Sequence, residues 1–346
     1  MRKGYFIHRL LVAALAVPLV SLVSCERHLD ISGEASSVQI SIDLPGNMGV
    51  EEGPWTRADG DYVNASQYEG VRTLRIIVTS GPAEDRTILY NQKVEGLTNV
   101  DTYTTTIPDL PHDSLTFFAI ANEESLDMTY DDETILSNLA SNHKLLFLDN
   151  ADPKHFPARG PDIVGHGIPM SGSTAVRLTG DRSVRIDLYR SVVKLALVVE
   201  NATKSPVTLR EVSFGEFFGD RYYMFRDITL DVPDGIVYTG MKYENLDIVI
   251  PGVNADDPSV RPYTDTLSAY FYPTHPAFVG GNSPFTIGLT TGSGPYPSQV
   301  FAPNTAFFIR NTQVNLRVRI TTDVGIEIDF EVAPWDEYDV EVPTFD

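Results

Sequence analysis

Apolar side chains return at every second position in stretches spread along most of this 346-residue chain. A period of two puts alternate residues on opposite faces, which is the pattern of half-buried β-strands. Two such runs lie near the C-terminus. Val314, Leu316, Val318 and Ile320 can pair with Ile326, Ile328, Phe330 and Val332 as a hairpin whose apolar faces share one core. Its other face sets Arg317 and Arg319 against Glu327, Asp329 and Glu331, which suits cross-strand charge pairing. A third run, residues 37–44, shows Val38, Ile40, Ile42 and Leu44 on one side and Gln39, Ser41 and Asp43 on the other. Further strands are predicted at 74–78, 87–94, 102–107, 115–121, 184–188, 246–250, 267–272 and 285–289, and the run 192–199 is apolar enough for burial on both faces. One helix is predicted at 132–140, where Ile135, Leu136 and Leu139 share a face and Asp131 or Asp132 can cap it. Residues 150–172 read as a long connection rich in Pro, Gly and Asp, and a domain join is expected near 175–180. These intervals predict an all-β protein of two sandwiches.

The N-terminus carries Arg2, Lys3 and Arg9, followed by an apolar run over residues 10–23 that is too short to span a bilayer and reads as a signal peptide. It ends in Leu22-Val23-Ser24-Cys25, which resembles a bacterial lipobox, in which the signal is cut before the cysteine and the thiol accepts lipid. Several acyl chains on Cys25 would hold the mature chain at a membrane surface without spanning it. Cys25 is the sole cysteine, so no intramolecular disulfide is possible and stability must come from buried apolar surface. Removing the three signal-peptide cations takes the formal charge from -21 to -24, which excludes nucleic acid and anionic lipid headgroups as natural partners. Between the strand at 37–44 and the next lies a polar stretch, 49–61, with turn formers and no apolar period. Within it, Arg57-Ala58 offers an exposed bond to an Arg-specific protease.

Searching for reaction chemistry yields little. There is no HExxH, GxSxG, Walker A or glycine fingerprint, so neither an enzyme nor a cofactor is expected. His155 and His166, with Asp162 between them, sit in the proline-rich connection and read as solvated loop residues, and no metal site is expected. The aromatic groups Phe217-Phe218, Tyr222-Tyr223 and 270–272 could stack on sugars, but core packing accounts for them more simply. Asp113-Ser114-Leu115 and Asp265-Thr266-Leu267 resemble a short O-glycosylation acceptor motif of Bacteroidetes.

Six segments together resemble the fimbrillin superfamily, the type V pilins of Bacteroidales. They are VRTLRIIVT (71–79), LTFFAIAN (115–122), IPMSG (168–172), LYRSVVKLALVV (188–199), IRNTQVNLRVRI (309–320) and VAPW (332–335), in the family's order. The resemblance implies two antiparallel Greek-key, transthyretin-like β-sandwiches with a minor helix. It divides the chain into a signal peptide (1–24), a leader with the first strand (25–57), an N-terminal sandwich (58–178) and a C-terminal sandwich (179–346). It implies a non-enzymatic stalk or tip subunit of an adhesive surface fimbrium, carried to the outer membrane through lipid on Cys25. An Arg-specific protease would cut after Arg57, before Ala58, removing the strand that holds Val38, Ile40, Ile42 and Leu44. A strand from another fimbrial subunit would then fill the slot. Tyr338, Val340 and Val342 alternate in the tail and could form such a donor, or could equally form the last strand of their own sandwich. Two alternatives remain: a fimbrial anchor that keeps its lipid and leader, and a surface glycan-binding lipoprotein. A host or bacterial surface ligand is a further implied partner.

Overall fold

The computed structural model describes residues 35–44, 69–98, 100–126, 128–131, 135–140, 142–144, 165–225, 232–254, 257, 259–274, 282–321 and 325–335. They form the expected all-β architecture. The first sandwich contains β1 (Ala35–Asp43), β2 (Thr73–Ser80), β3 (Thr87–Glu95), β4 (Thr102–Pro111) and β5 (Ser114–Ala121). After α1 (Ile135–Ala140) and β6 (Asn142–Lys144) it continues with β7 (Met170–Arg177), β8 (Arg182–Ile186) and β9 (Tyr189–Arg190). One sheet has the order β3-β2-β5-β7-β9 and the facing sheet β4-β1-β8. The inward residues of both, among them Val38, Ile40, Ile42, Leu74, Ile76, Val78, Phe117 and Val184, fill one core.

The second sandwich opens with β10 (Val193–Asn201), β11 (Val207–Gly219), β12 (Arg221–Tyr223), β13 (Tyr238–Tyr243) and β14 (Ile248–Ile250). It closes with β15 (Leu267–Phe271), β16 (Thr286–Thr291), β17 (Gly294–Val300), β18 (Thr312–Ile320) and β19 (Ile326–Pro334). Sheet β15-β10-β18-β19 packs on β13-β11-β16-β17, and β14 adds to β11. Their core is rich in phenylalanine: Phe217, Phe271, Phe285, Phe301 and Phe308 meet largely edge to face.

A third core joins the two sandwiches. Ile77, Phe118 and Ile120 lie on the outer face of β2 and β5, and they meet α1 through Ile135 and Leu139 and the second sandwich through Tyr222, Tyr270, Tyr272 and Trp335. The apolar run 192–199 is buried on both faces at its start for this reason: Val192 joins the third core while Val193 and Leu195 join the second. Pairing of β6 with β12 also crosses between the sandwiches.

Several expectations need correction. The join lies later than 175–180, because β8 pairs with β1 and β9 with β7, so the first sandwich extends to Arg190. Residues 170–172 belong to β7 rather than to the preceding connection, and Gly172 is required there: a Cβ would lie 2.1 Å from the Asp187 carbonyl oxygen. Not every pair is antiparallel, since β1 runs parallel to β8 and β10 to β18. The hairpin β18–β19 forms in the expected register, and Val314, Leu316, Val318 and Ile320 are buried, but of the four residues expected inward on β19 just Ile326 is. Ile328 is half-buried and Phe330 and Val332 are exposed on β19, an edge strand, although the Phe330 ring still meets Phe301 edge to face at 6.2 Å.

Candidate strand-exchange site

The site is built around β1. Val38, Ile40 and Ile42 are fully buried and Leu44 is 2% exposed, while Gln39 and Asp43 between them face solvent. The strand lies in the middle of its sheet, antiparallel to β4 and parallel to β8, so both of its backbone edges are paired. Its ends are fastened as well. The Ser37 amide donates to Asp181 Oδ1 at 2.8 Å, Ser36 Oγ lies 2.6 Å from His112 Nε2, and the Leu44 amide donates to the Asp101 carbonyl at 2.8 Å. A shift in pairing between Ser36 and Val38 is its one irregularity against β4.

Burying four such side chains contributes at most about 6–12 kcal/mol, at roughly 1.5–3 kcal/mol each. That equals the whole net stability of a typical domain, about 5–15 kcal/mol. Without β1, β4 and β8 would have no partner on that side and an apolar slot would open between them. In sequence, β1 is joined to the next described residue, Glu69, through the segment 45–68, which contains Arg57-Ala58.

Downstream of that segment the chain is pinned independently of β1. The Glu69 carboxylate is buried where the two sandwiches meet and accepts hydrogen bonds from Lys194 Nζ at 2.9 Å, Tyr270 Oη at 2.9 Å and Trp335 Nε1 at 3.0 Å. Burial alone would raise its pKa, but the charges of Lys194 and Arg190 and the hydrogen bonds from Lys194 and Trp335 outweigh that and hold it below the ordinary value. The Arg190 guanidinium stands 4.7 Å from the Trp335 ring, which stacks on Tyr270 at 5.7 Å. Next along the chain, Asn122, in the left-handed region at φ 55, accepts from the Arg72 amide at 2.9 Å and donates to the Gly70 and Ile168 carbonyls at 3.0 and 2.8 Å. Glu69 is thus held by groups of the second sandwich, none of which belongs to β1.

Cys25, Arg57, Ala58, Tyr338, Val340 and Val342 lie outside the described residues. Trp335, the last described residue before the tail, is buried beside Glu69, the first described residue after segment 45–68. Glu69 escaped sequence reasoning because a lone Glu after a polar stretch carries no pattern. Phe217, Phe218, Tyr222, Tyr270, Phe271 and Tyr272 are buried and Tyr223 half-buried, so these rings form cores and no sugar-stacking row. His166 is exposed, and His155 and Asp162 are outside the described residues. Ser114 and Thr266 are exposed, each before a buried leucine.

The fold is that of a two-sandwich all-β protein in which the first described strand, β1, occupies the middle of a sheet. No protein-family profile matches the chain, and no curated protein does. Solved structures do share its fold. The C-terminally truncated tip fimbrial protein Mfa3 of Porphyromonas gingivalis superposes with a TM-score of 0.51 at 14% identity, over 87% of this chain and 100% of that one. A candidate cell adhesion protein of Bacteroides eggerthii gives 0.52 at 13% identity, over 88% and 97%. Another, of Parabacteroides distasonis, gives 0.51 at 12% identity, over 87% and 97%.

Proposed function

We propose that this protein is a structural subunit of a surface fimbrium, assembled by exchange of its first strand. The observation that carries the reading is the placement of β1: a central strand with a fully buried inward face, joined to the following chain through a segment that contains Arg57-Ala58. Lipid on Cys25 delivers the precursor to the outer membrane. An Arg-specific protease cuts after Arg57, the leader departs with β1, and a donor strand from a neighbouring subunit takes the slot. The donor needs apolar residues at alternate positions, which the tail supplies with Tyr338, Val340 and Val342. The fold shared with a fimbrial tip protein and candidate adhesion proteins supports a fimbrial, non-enzymatic role. Burial of the aromatic groups speaks against the glycan-binding alternative.

N-terminal sequencing of protein extracted from the cell surface tests this reading. A mature chain beginning at Ala58 is expected, with Arg57→Ala leaving the leader attached and abolishing incorporation into fimbriae. Cys25→Ser should block labelling by palmitate and leave the precursor uncut. Surface protein that keeps residues 25–57 while fimbriae still form would instead identify a lipid-retaining anchor and overturn the exchange mechanism for this subunit.

A further inference from the structure

The outer face of sheet β4-β1-β8 carries a charge pattern that its core does not require. Outward residues of β1 are flanked on β4 by threonines: Thr106 opposite Gln39, Thr104 opposite Ser41 and Thr102 opposite Asp43. On β8, Ser183 stands opposite Gln39 and Arg185 opposite Ser41. The guanidinium of Arg185 bridges two carboxylates, with Nη2 at 2.6 Å from Asp43 Oδ2 and Nε donating to Asp187 Oδ1 at 3.0 Å. Thr102 Oγ1 also donates to Asp43 Oδ1, at 3.2 Å. The Arg185 side chain is 68% exposed, so these pairs add little to stability beside the apolar burial beneath them. When β1 leaves, Arg185 keeps Asp187 and its Nη2 edge is vacated at the rim of the slot.

We propose that Arg185 selects acidic donor strands, an inference that rests on the strand-exchange reading. A donor running in the direction of β1, with apolar residues in the seats of Val38, Ile40 and Ile42, sets its outward residue at the place of Ser41 beside Arg185. If Tyr338, Val340 and Val342 take those three seats, Glu341 falls at that place. Advanced by two residues, the same strand puts Asp339 there and Glu341 at the place of Asp43. Both registers give Arg185 a carboxylate, and a tail of another subunit with an acid at the matching position would do the same. The threonines opposite accept charged and neutral neighbours alike, so discrimination falls to Arg185. A basic residue there would face a like charge directly across the pair, which opposes docking.

The test uses precursor cut by an Arg-specific protease and exchanged in mild denaturant, so that a fluorescent synthetic peptide of residues 336–346, or its Asp339→Lys/Glu341→Lys form, competes for the slot as the leader is displaced. Anisotropy titrations are run at about 50 mM and about 500 mM salt. The lysine peptide should bind wild-type protein about tenfold more weakly at low salt, and the gap should narrow at high salt. On Arg185→Glu protein, shown folded as the precursor by circular dichroism, the preference should reverse. If both peptides bind wild-type protein equally at low salt, selection by Arg185 is refuted while strand exchange stands. If neither peptide binds any form, the tail is not a donor, and both that assignment and the selection built on it fall.

Discussion

Glu69 shows how much a single side chain can hold here. Its carboxylate is the shared acceptor for groups from three strands of the second sandwich or its ends: Lys194 on β10, Tyr270 on β15 and Trp335 after β19. Removing one member of such a buried set leaves the others uncompensated, so Glu69→Ala should cost about 3–5 kcal/mol in urea denaturation. Glu69→Gln keeps an acceptor and should cost about 1–3 kcal/mol. Because the folded pKa lies below the ordinary 4.5, the ionic contribution is complete above that value and is lost as pH falls through the lowered folded pKa. The stability gap between wild type and Glu69→Gln should thus be constant at neutral pH and shrink below pH 4.5. A gap that widens on acidification would contradict this account of the junction. None of it was legible in the sequence. Pairing partners 125, 201 and 266 residues apart leave no local trace, and a buried carboxylate looks like any of the chain's 47 acidic residues.

Strands were legible where alternation was strict, since periodicity reports which residues share a face. The run 37–44 became β1 with every expected residue inward, and the two C-terminal runs paired in register. What alternation cannot report is whether another layer lies opposite. Phe330 and Val332 alternate as regularly as Leu316 and Val318, yet they are 37% and 44% exposed because β19 is an edge. Nor does a strand pattern name its neighbours: the parallel pairing of β1 with β8 spans 144 residues, as the Ser37–Asp181 hydrogen bond shows. Strands β11 and β13 were missed because Gly215, Gly219 and Gly240 interrupt their period, each standing where a Cβ would lie within 3 Å of a neighbour. The contrast on the last hairpin is testable. Val318→Asp places a carboxylate in the core and should cost more than about 3 kcal/mol, enough to unfold much of the second sandwich. Val332→Asp should stay within about 0.5 kcal/mol. Equal losses in thermal or chemical denaturation would mean that β19 is covered after all.

The two sandwiches repeat one arrangement that no sequence period revealed. In each, the first strand occupies the middle of a sheet, antiparallel to one neighbour and parallel to the other: β1 between β4 and β8, β10 between β15 and β18. The difference lies in attachment. Strand β10 follows β9 directly through Ser191 and Val192 and is locked by Lys194 to Glu69, whereas β1 hangs from residues 45–68. On the proposed strand-exchange reading, one topology therefore serves one permanent and one removable central strand. Cutting the purified precursor after Arg57 and stripping the leader in mild denaturant should lower the melting transition of the first sandwich. The lost burial of about 6–12 kcal/mol corresponds to tens of degrees, at roughly 3–6 °C per kcal/mol for domains of this size, so that sandwich should not remain folded alone. The second transition should fall much less, because β10 stays covalently in place and only the shared junction core is weakened. Adding a synthetic peptide of residues 35–44 should restore the first transition, and calorimetry can follow both. A stripped protein that melts as the precursor does would show β1 to be dispensable, and an equal fall in both transitions would show that the sandwiches unfold as one unit.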